Sequence, residues 1–286
     1  MTNCIEIKGL CKSYGDFTLK NIDLTLPGGS ILGLIGENGA GKTTTIKCIL
    51  NLIRRDAGEI SLLGYDNVRE EQLAKQDIGL VLDECFFSDA LRPLDVGKTL
   101  APAYREWDQK LFRDYLGKFG LPEKKLIKEF SRGMKMKLSL SAALAHRPKL
   151  LILDEATAGL DPVVRDEILD EFLGFIQDED HAILMSSHIT SDLEKVADYI
   201  AYIHQGEVVL SDSKDNILDS YGRVGCTAAQ LETIDPHDIL HTRRGSFGCE
   251  ALVKDRTAFA RKYPMLLVER TTLEDIMLFV GKGEAK

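Results

Sequence analysis

Apolar and polar residues alternate along "CIEIKGL" (4–10) and "FTLKNIDLTL" (17–26), the two-residue period of half-buried strands. "SILGLIG" (30–36) is a short apolar run ending in glycine, and "KTTTIKCILNLI" (42–53) then takes up helical spacing. "GEISLLG" and "DIGLVL" predict further strands. "KLLILDE" (149–155) and "AILMSS" (182–187) are apolar on both faces, as buried parallel strands are. "DPVVRDEILDEFLGFI" (161–176) predicts a helix with Val164, Ile168, Phe172 and Phe175 on one face and Pro162 in its first turn. Residues 198–210 predict a hairpin turning at Gln205-Gly206. Between about 86 and 145, Pro93, Pro102 and Pro122 punctuate amphipathic pieces that predict a helical insert. The sum is an α/β domain over 1–220, with a mostly parallel core sheet and an antiparallel β layer at its N-terminal end. From about 221 to 286, "EALVKD", "RTAFARKY", "MLLVER" and "TLEDIMLFV" predict a small α/β appendage that carries no chemical motif.

Composition narrows the class without changing this picture. The 286 residues are 44% hydrophobic and 28% charged, ordinary for a globular protein. A net charge of −9 argues against a nucleic-acid platform or adhesion to anionic lipid, both of which need basic surfaces. The six cysteines show no Cys-x-x-Cys and no paired spacing, which predicts reduced thiols in a cytoplasmic protein. The first residues have no apolar core of signal-peptide type, and no run approaches the roughly 20 apolar residues that span a bilayer. Work at a membrane would need another protein to hold this one there.

The chemistry is concentrated in two places. "GENGAGKT" (Gly36, Glu37, Asn38, Gly39, Ala40, Gly41, Lys42, Thr43) has the spacing of a phosphate-binding loop, and Thr44 follows it. Successive backbone N–H groups must converge on phosphate oxygens, which requires glycine, and the following helix directs its N-terminus at the same anion. Lys42 then reaches the β- and γ-phosphates and the Thr43 hydroxyl ligates Mg²⁺. The second place is the end of "LLILDE", where strand alternation would point Asp154 and Glu155 in opposite directions. Asp154 suits a Mg²⁺ ligand and Glu155 a base that polarises water.

In this order the motifs resemble the ATP-binding subunit of an ABC transporter over about residues 1–220. The resemblance identifies Phe130-Ser131-Arg132-Gly133-Met134 with the signature motif that opens a helix, Ala158-Gly159-Leu160-Asp161 with the D-loop, and His188 in "MSSHIT" with the switch histidine. Tyr14 stands where the family places an aromatic that stacks on adenine; its plainer reading is an edge aromatic covering the first sheet. The resemblance implies Mg²⁺-dependent ATP hydrolysis, with Glu155, His188 and Lys42 catalytic. It also implies nucleotide contacts from residues 36–44, Tyr14, Ser131, Arg132, Gly133 and Asp161, and metal contacts from Thr43, Asp83 and Asp154. It implies head-to-tail pairing with a second ATPase subunit, each signature helix facing the γ-phosphate held by the other. A transmembrane permease would be the driven partner, with the ATPase peripheral on the inner face of the membrane. "FSRGM" and the "TLEDIMLFV" tail resemble exporter-type subunits of Gram-positive bacteria, of the antibiotic-peptide or multidrug kind. Soluble ABC-type ATPases acting on a non-membrane assembly are the alternative.

Two departures from the family pattern stand out. Asp83 occupies the position of a glutamine that touches Mg²⁺ or water and relays to the membrane partner; Glu84 substitutes for it if the loop shifts by one. Cys85, Phe86 and Phe87 follow, either as core or as a dock for the membrane subunit. The other is in the signature, where Arg132 replaces the usual first glycine and Met134 the glutamine; Arg132, Lys135 and Lys137 also stack cations in the first turns of a helix, where the macrodipole favours anions. Either ATP from the other subunit meets them, or they are solvated surface charges.

Overall fold

The computed structural model describes residues 3–245, 248–282 and 284–285. Two sheets pack around the phosphate-binding loop. The first is antiparallel, with strands Asn3–Tyr14, Phe17–Pro27, Ala57–Leu62 and Tyr65–Asp66. The second has the order Glu207–Ser213, Tyr199–His204, Ser30–Ile35, Ala182–Ser187, Leu150–Asp154, Ile78–Val81. It is parallel except at the Tyr199–His204/Glu207–Ser213 hairpin, which turns at Gln205-Gly206. Ser30–Ile35, Leu150–Asp154 and Ala182–Ser187 are buried along their whole length because helices and the antiparallel layer cover both faces.

Three chain segments feed one edge of this sheet. The strand Ala182–Ser187 lies between the strand that enters the phosphate loop and the strand that ends at Asp154. Register pairs Ile35 with Ser187 and Asp154 with Ser186, so the carboxyl ends of these strands finish level. Ligands of open α/β sheets bind beyond that edge.

The helix after the loop runs Lys42–Ile49, shorter than the apolar spacing to residue 53 predicts. Asn51, at φ 53°, takes the left-handed conformation that ends helices, and its side chain bonds Glu71. The helical insert has its own core of Val96, Phe112, Leu116, Ile127, Phe130 and Leu138. Its last helix, Arg132–Leu144, begins at Ser131, whose hydroxyl accepts from the Met134 N–H at 3.2 Å.

Residues from 222 onward form a third, antiparallel sheet over a core that includes Val224, Ala251, Val253 and Phe259. The helix Leu273–Lys282 turns away from that core. Leu273, Ile276 and Phe279 are buried in the cluster that contains Tyr202 and Leu193 of the nucleotide-side domain. Leu273 N–H donates to Glu194 Oε1 at 2.8 Å, and the Tyr202 hydroxyl donates to Met277 O at 3.3 Å. Burial, with the Glu37 carboxylate nearby, pushes that hydroxyl up to about 12, so it stays a donor. A Cβ at Gly281 would overlap Glu37 Oε1, so the end of this helix touches the phosphate loop.

Candidate active site

The loop 36–41 is shaped by its neighbours. A side chain at Gly36 would strike the backbone carbonyl of Ile203 on the adjacent strand. Gly41 has φ 119°, and a Cβ there would lie 2.6 Å from Leu19 and 3.0 Å from Phe17. Only glycine satisfies either position, and the tight turn leaves Glu37, Asn38 and Gly39 exposed while Ala40 is buried. The Lys42 side chain is 4% exposed, and its Nζ donates to Gly36 O at 2.8 Å and Glu37 O at 3.3 Å. The same ammonium lies 3.2 Å from Glu155 Oε1. Thr43 is exposed at the helix start. The Tyr14 hydroxyl is 2.9 Å from Thr44 Oγ1, and its half-exposed ring lies 6.2 Å from Phe17, at the rim of the loop.

Asp154 and Glu155 do face different partners, but not by strand alternation. The strand ends at Asp154, and Glu155 sits at φ 52°, a left-handed conformation that costs a non-glycine residue about 1–3 kcal/mol. That strain bends the chain so that the Glu155 carboxylate reaches back to Lys42 and across to His188, whose Nδ1 is 2.6 Å from Oε2. Ser186 holds the bend in place. Its buried hydroxyl donates to Asp154 Oδ1 at 2.5 Å and accepts from the Glu155 N–H at 3.1 Å. Ser186 belongs to none of the motifs; its signal in the sequence is the pair of polar residues closing an otherwise apolar buried strand in "AILMSS".

Lys42, Glu155, His188, Asp154 and Ser186 are thus one connected network. The other predicted residues lie outside it within one subunit. Asp83 is exposed just past Val81, and no hydrogen bond or ion pair among the described residues joins it to Thr43, Asp154 or Glu155. Asp161 caps the helix Pro162–Phe175 through Val163 N and Val164 N, both at 3.1 Å. Ser131 caps the signature helix, and Gly133 is close against Val164, where a Cβ would lie 3.2 Å from Cγ1.

The cations of the signature helix do not act alike. Lys135 pairs with Asp89 at 2.8 Å and Lys137 pairs with Glu167, so both charges are answered within the chain. Arg132 has no hydrogen bond or ion pair among the described residues, and its guanidinium lies over Gly159, 3.1 Å from where a Cβ would stand.

The family model described as ABC transporter matches residues 19–158. A lantibiotic transport ATP-binding protein of Streptococcus pyogenes, SrtF, is 36% identical over 214 residues, 74% of this chain and 91% of that one. The chain belongs to the ABC transporter family of ATP-binding subunits. The linearmycin resistance ATP-binding protein LnrL of Bacillus subtilis is also 36% identical, over 79% of this chain and 74% of its own. Among solved structures, an ATP-binding subunit of an ABC transporter superposes with a TM-score of 0.69 at 28% identity, over 75% of this chain and 91% of that one. The protein is therefore an ATPase that binds nucleotide and works with a membrane-spanning partner. Among the described residues no helix is long and apolar enough to cross a membrane itself.

Proposed function

We propose that this ATPase subunit energises export of an antibiotic or peptide by a separate permease, as one half of a head-to-tail ATPase pair peripheral on the inner face of the membrane. The observation that carries the catalytic reading is the Lys42–Glu155–His188 contact at the sheet edge. Lys42 exchanges the Gly36 and Glu37 carbonyls for the β- and γ-phosphates, while residues 36–44 cradle them through backbone N–H groups. Tyr14 stacks on the adenine. Glu155, freed from Lys42, takes a proton from the attacking water, and His188 steadies the carboxylate and faces the γ-phosphate. Ser131, Arg132, Gly133 and Asp161 complete the nucleotide site of the partner subunit.

The exposed Thr43 hydroxyl and the Asp154 carboxylate are hard oxygen ligands of the kind Mg²⁺ takes. Bound Mg²⁺ neutralises developing phosphate charge. Asp83, two residues past the end of the strand that pairs Val81 with Leu153, is the third oxygen ligand in this proposal. Ser186 orients Asp154, and partners of that kind are worth about 10–100-fold in metal affinity. Ser186→Ala should therefore raise the Mg²⁺ concentration for half-maximal turnover by about that factor. A Mg²⁺ titration of ATPase rate checks it; an unmoved midpoint removes Ser186 from this role.

Export and its class are supported by the relatives' names, lantibiotic transport and linearmycin resistance. The docking face is supported by a groove of about 250 Å³ lined by Leu80, Leu82, Phe86, Phe87 and Tyr104. Phe86 is 72% exposed there, a large apolar ring without a cover. The experiment is copurification of the tagged full chain from mildly solubilised membranes. A multi-pass membrane protein should come down in near-equal amount, and Phe86→Asp should release it while ATPase activity of the free chain persists. Recovery of a soluble assembly instead would favour the non-membrane reading.

A further inference from the structure

Among the described residues, five buried side-chain nitrogen or oxygen atoms have no hydrogen-bond partner. Three of them, Thr157 Oγ1, Arg165 Nε and Asp192 Oδ2, belong to the turn after Glu155 and to the two helices that follow Glu155 and His188. Buried polar atoms are almost always satisfied, so a concentration of orphans marks a place whose bonding is completed in another arrangement or by ordered water.

The connectivity shows what that arrangement would join. Arg165 lies on the helix Pro162–Phe175, and its Nη2 donates to Leu160 O at 3.2 Å, gripping the D-loop turn. Its Nη1 lies 3.9 Å from Asp192 Oδ1. Asp192 is 3% exposed and stands four residues after His188, on the helix Thr190–Val196. One guanidinium therefore spans from the turn between Glu155 and Asp161 to the helix behind the switch histidine. At 3.9 Å the pair is longer than the 2.7–2.9 Å of a charge-assisted hydrogen bond. The other carboxylate oxygen, Oδ2, is one of the three unpartnered atoms, so the pair has unused bonding capacity on both sides. Lys195 ties the same two helices through Asp166 and Asp170, but those charges are solvated and contribute little.

We propose that Arg165, acting through Asp192, is a positioning residue for ATP hydrolysis. It sets the D-loop turn, and with it Asp161, against His188, and the Arg165–Asp192 pair closes to direct contact when two nucleotide-loaded subunits meet. This rests on the roles of Asp161 and His188 proposed above.

The test uses the full chain with Arg165→Met, the isosteric Asp192→Asn, the double variant and Arg165→Lys. Each single loss should lower kcat about tenfold, with KM moved less than about twofold, and the double should be no worse than the poorer single because the two residues act as one unit. Arg165→Lys keeps the charge and should recover part of kcat. In a Glu155→Gln background, Asp192→Asn should weaken ATP-dependent pairing of subunits. Urea denaturation corrects each rate for the folded fraction, and Asp192→Asn and Arg165→Lys serve if Arg165→Met does not fold. Unchanged kcat per folded subunit in the singles, or effects that simply add, would overturn the proposal. His188→Ala with parental turnover would instead remove the site reading on which it stands.

Discussion

Glu155→Gln should cut steady-state ATP hydrolysis by about 10²–10⁴-fold, the contribution of a positioned general base, while ATP still binds. The geometry gives both halves of this expectation. Glu155 is the carboxylate that the strained bend after Asp154 aims at the phosphate loop, between Lys42 at 3.2 Å and His188 at 2.6 Å. Glutamine fills the same space and keeps a hydrogen bond to His188, but it does not take a proton from water. It also lacks the charge that holds Lys42, so the ammonium goes to phosphate with less competition. ATP affinity should therefore hold or rise, and paired subunits should accumulate because the step that separates them is blocked. Phosphate release, equilibrium binding of ATP and gel filtration with ATP check the three parts. Turnover at the parental rate would take Glu155 out of the base role, and lost binding would mean that the residue mainly supports the loop.

Phe279→Ala should destabilise the whole protein by about 3–5 kcal/mol, the usual range for a fully buried phenylalanine. That is a large share of the roughly 5–15 kcal/mol by which domains are stable. Phe279 is 0% exposed and belongs to the same cluster as Tyr202 on the strand beside the phosphate loop. Arg243 covers its ring, with Cζ 5.5 Å from the centroid. The loss should be felt at the nucleotide side as well as in the appendage, because the same helix accepts a hydrogen bond from Tyr202 and ends against Glu37. Met265→Ala is the matched control: Met265 is 91% exposed, and its truncation should cost almost nothing. Urea denaturation followed by circular dichroism gives both values. A cost below about 1 kcal/mol for Phe279→Ala would show that the last helix is not part of the core.

The central strands were legible because burial on both faces confines polar residues to their ends, and "SILGLIG", "KLLILDE" and "AILMSS" became adjacent strands of one sheet. The phosphate loop was legible because its backbone turns exclude any residue but glycine at fixed places. Ser131 was legible as a cap because its job is local, three residues from the N–H it accepts. The fates of Lys135 and Lys137 were not, since Asp89 and Glu167 lie 46 and 30 residues away in sequence.

The sequence by itself determined the family, the phosphate-binding loop and the two acidic residues where a buried strand ends. Those features follow from chemistry that needs particular residues at particular spacings. Only the tertiary structure decided that Ser186 bridges Asp154 and Glu155, that Arg165 faces Asp192, and that the last helix packs beside Tyr202. Each of these depends on strand order and register, which place residues from separate segments side by side. Periodicity reports which face of a segment is buried, and the choice of neighbour is made by how the segments pack together.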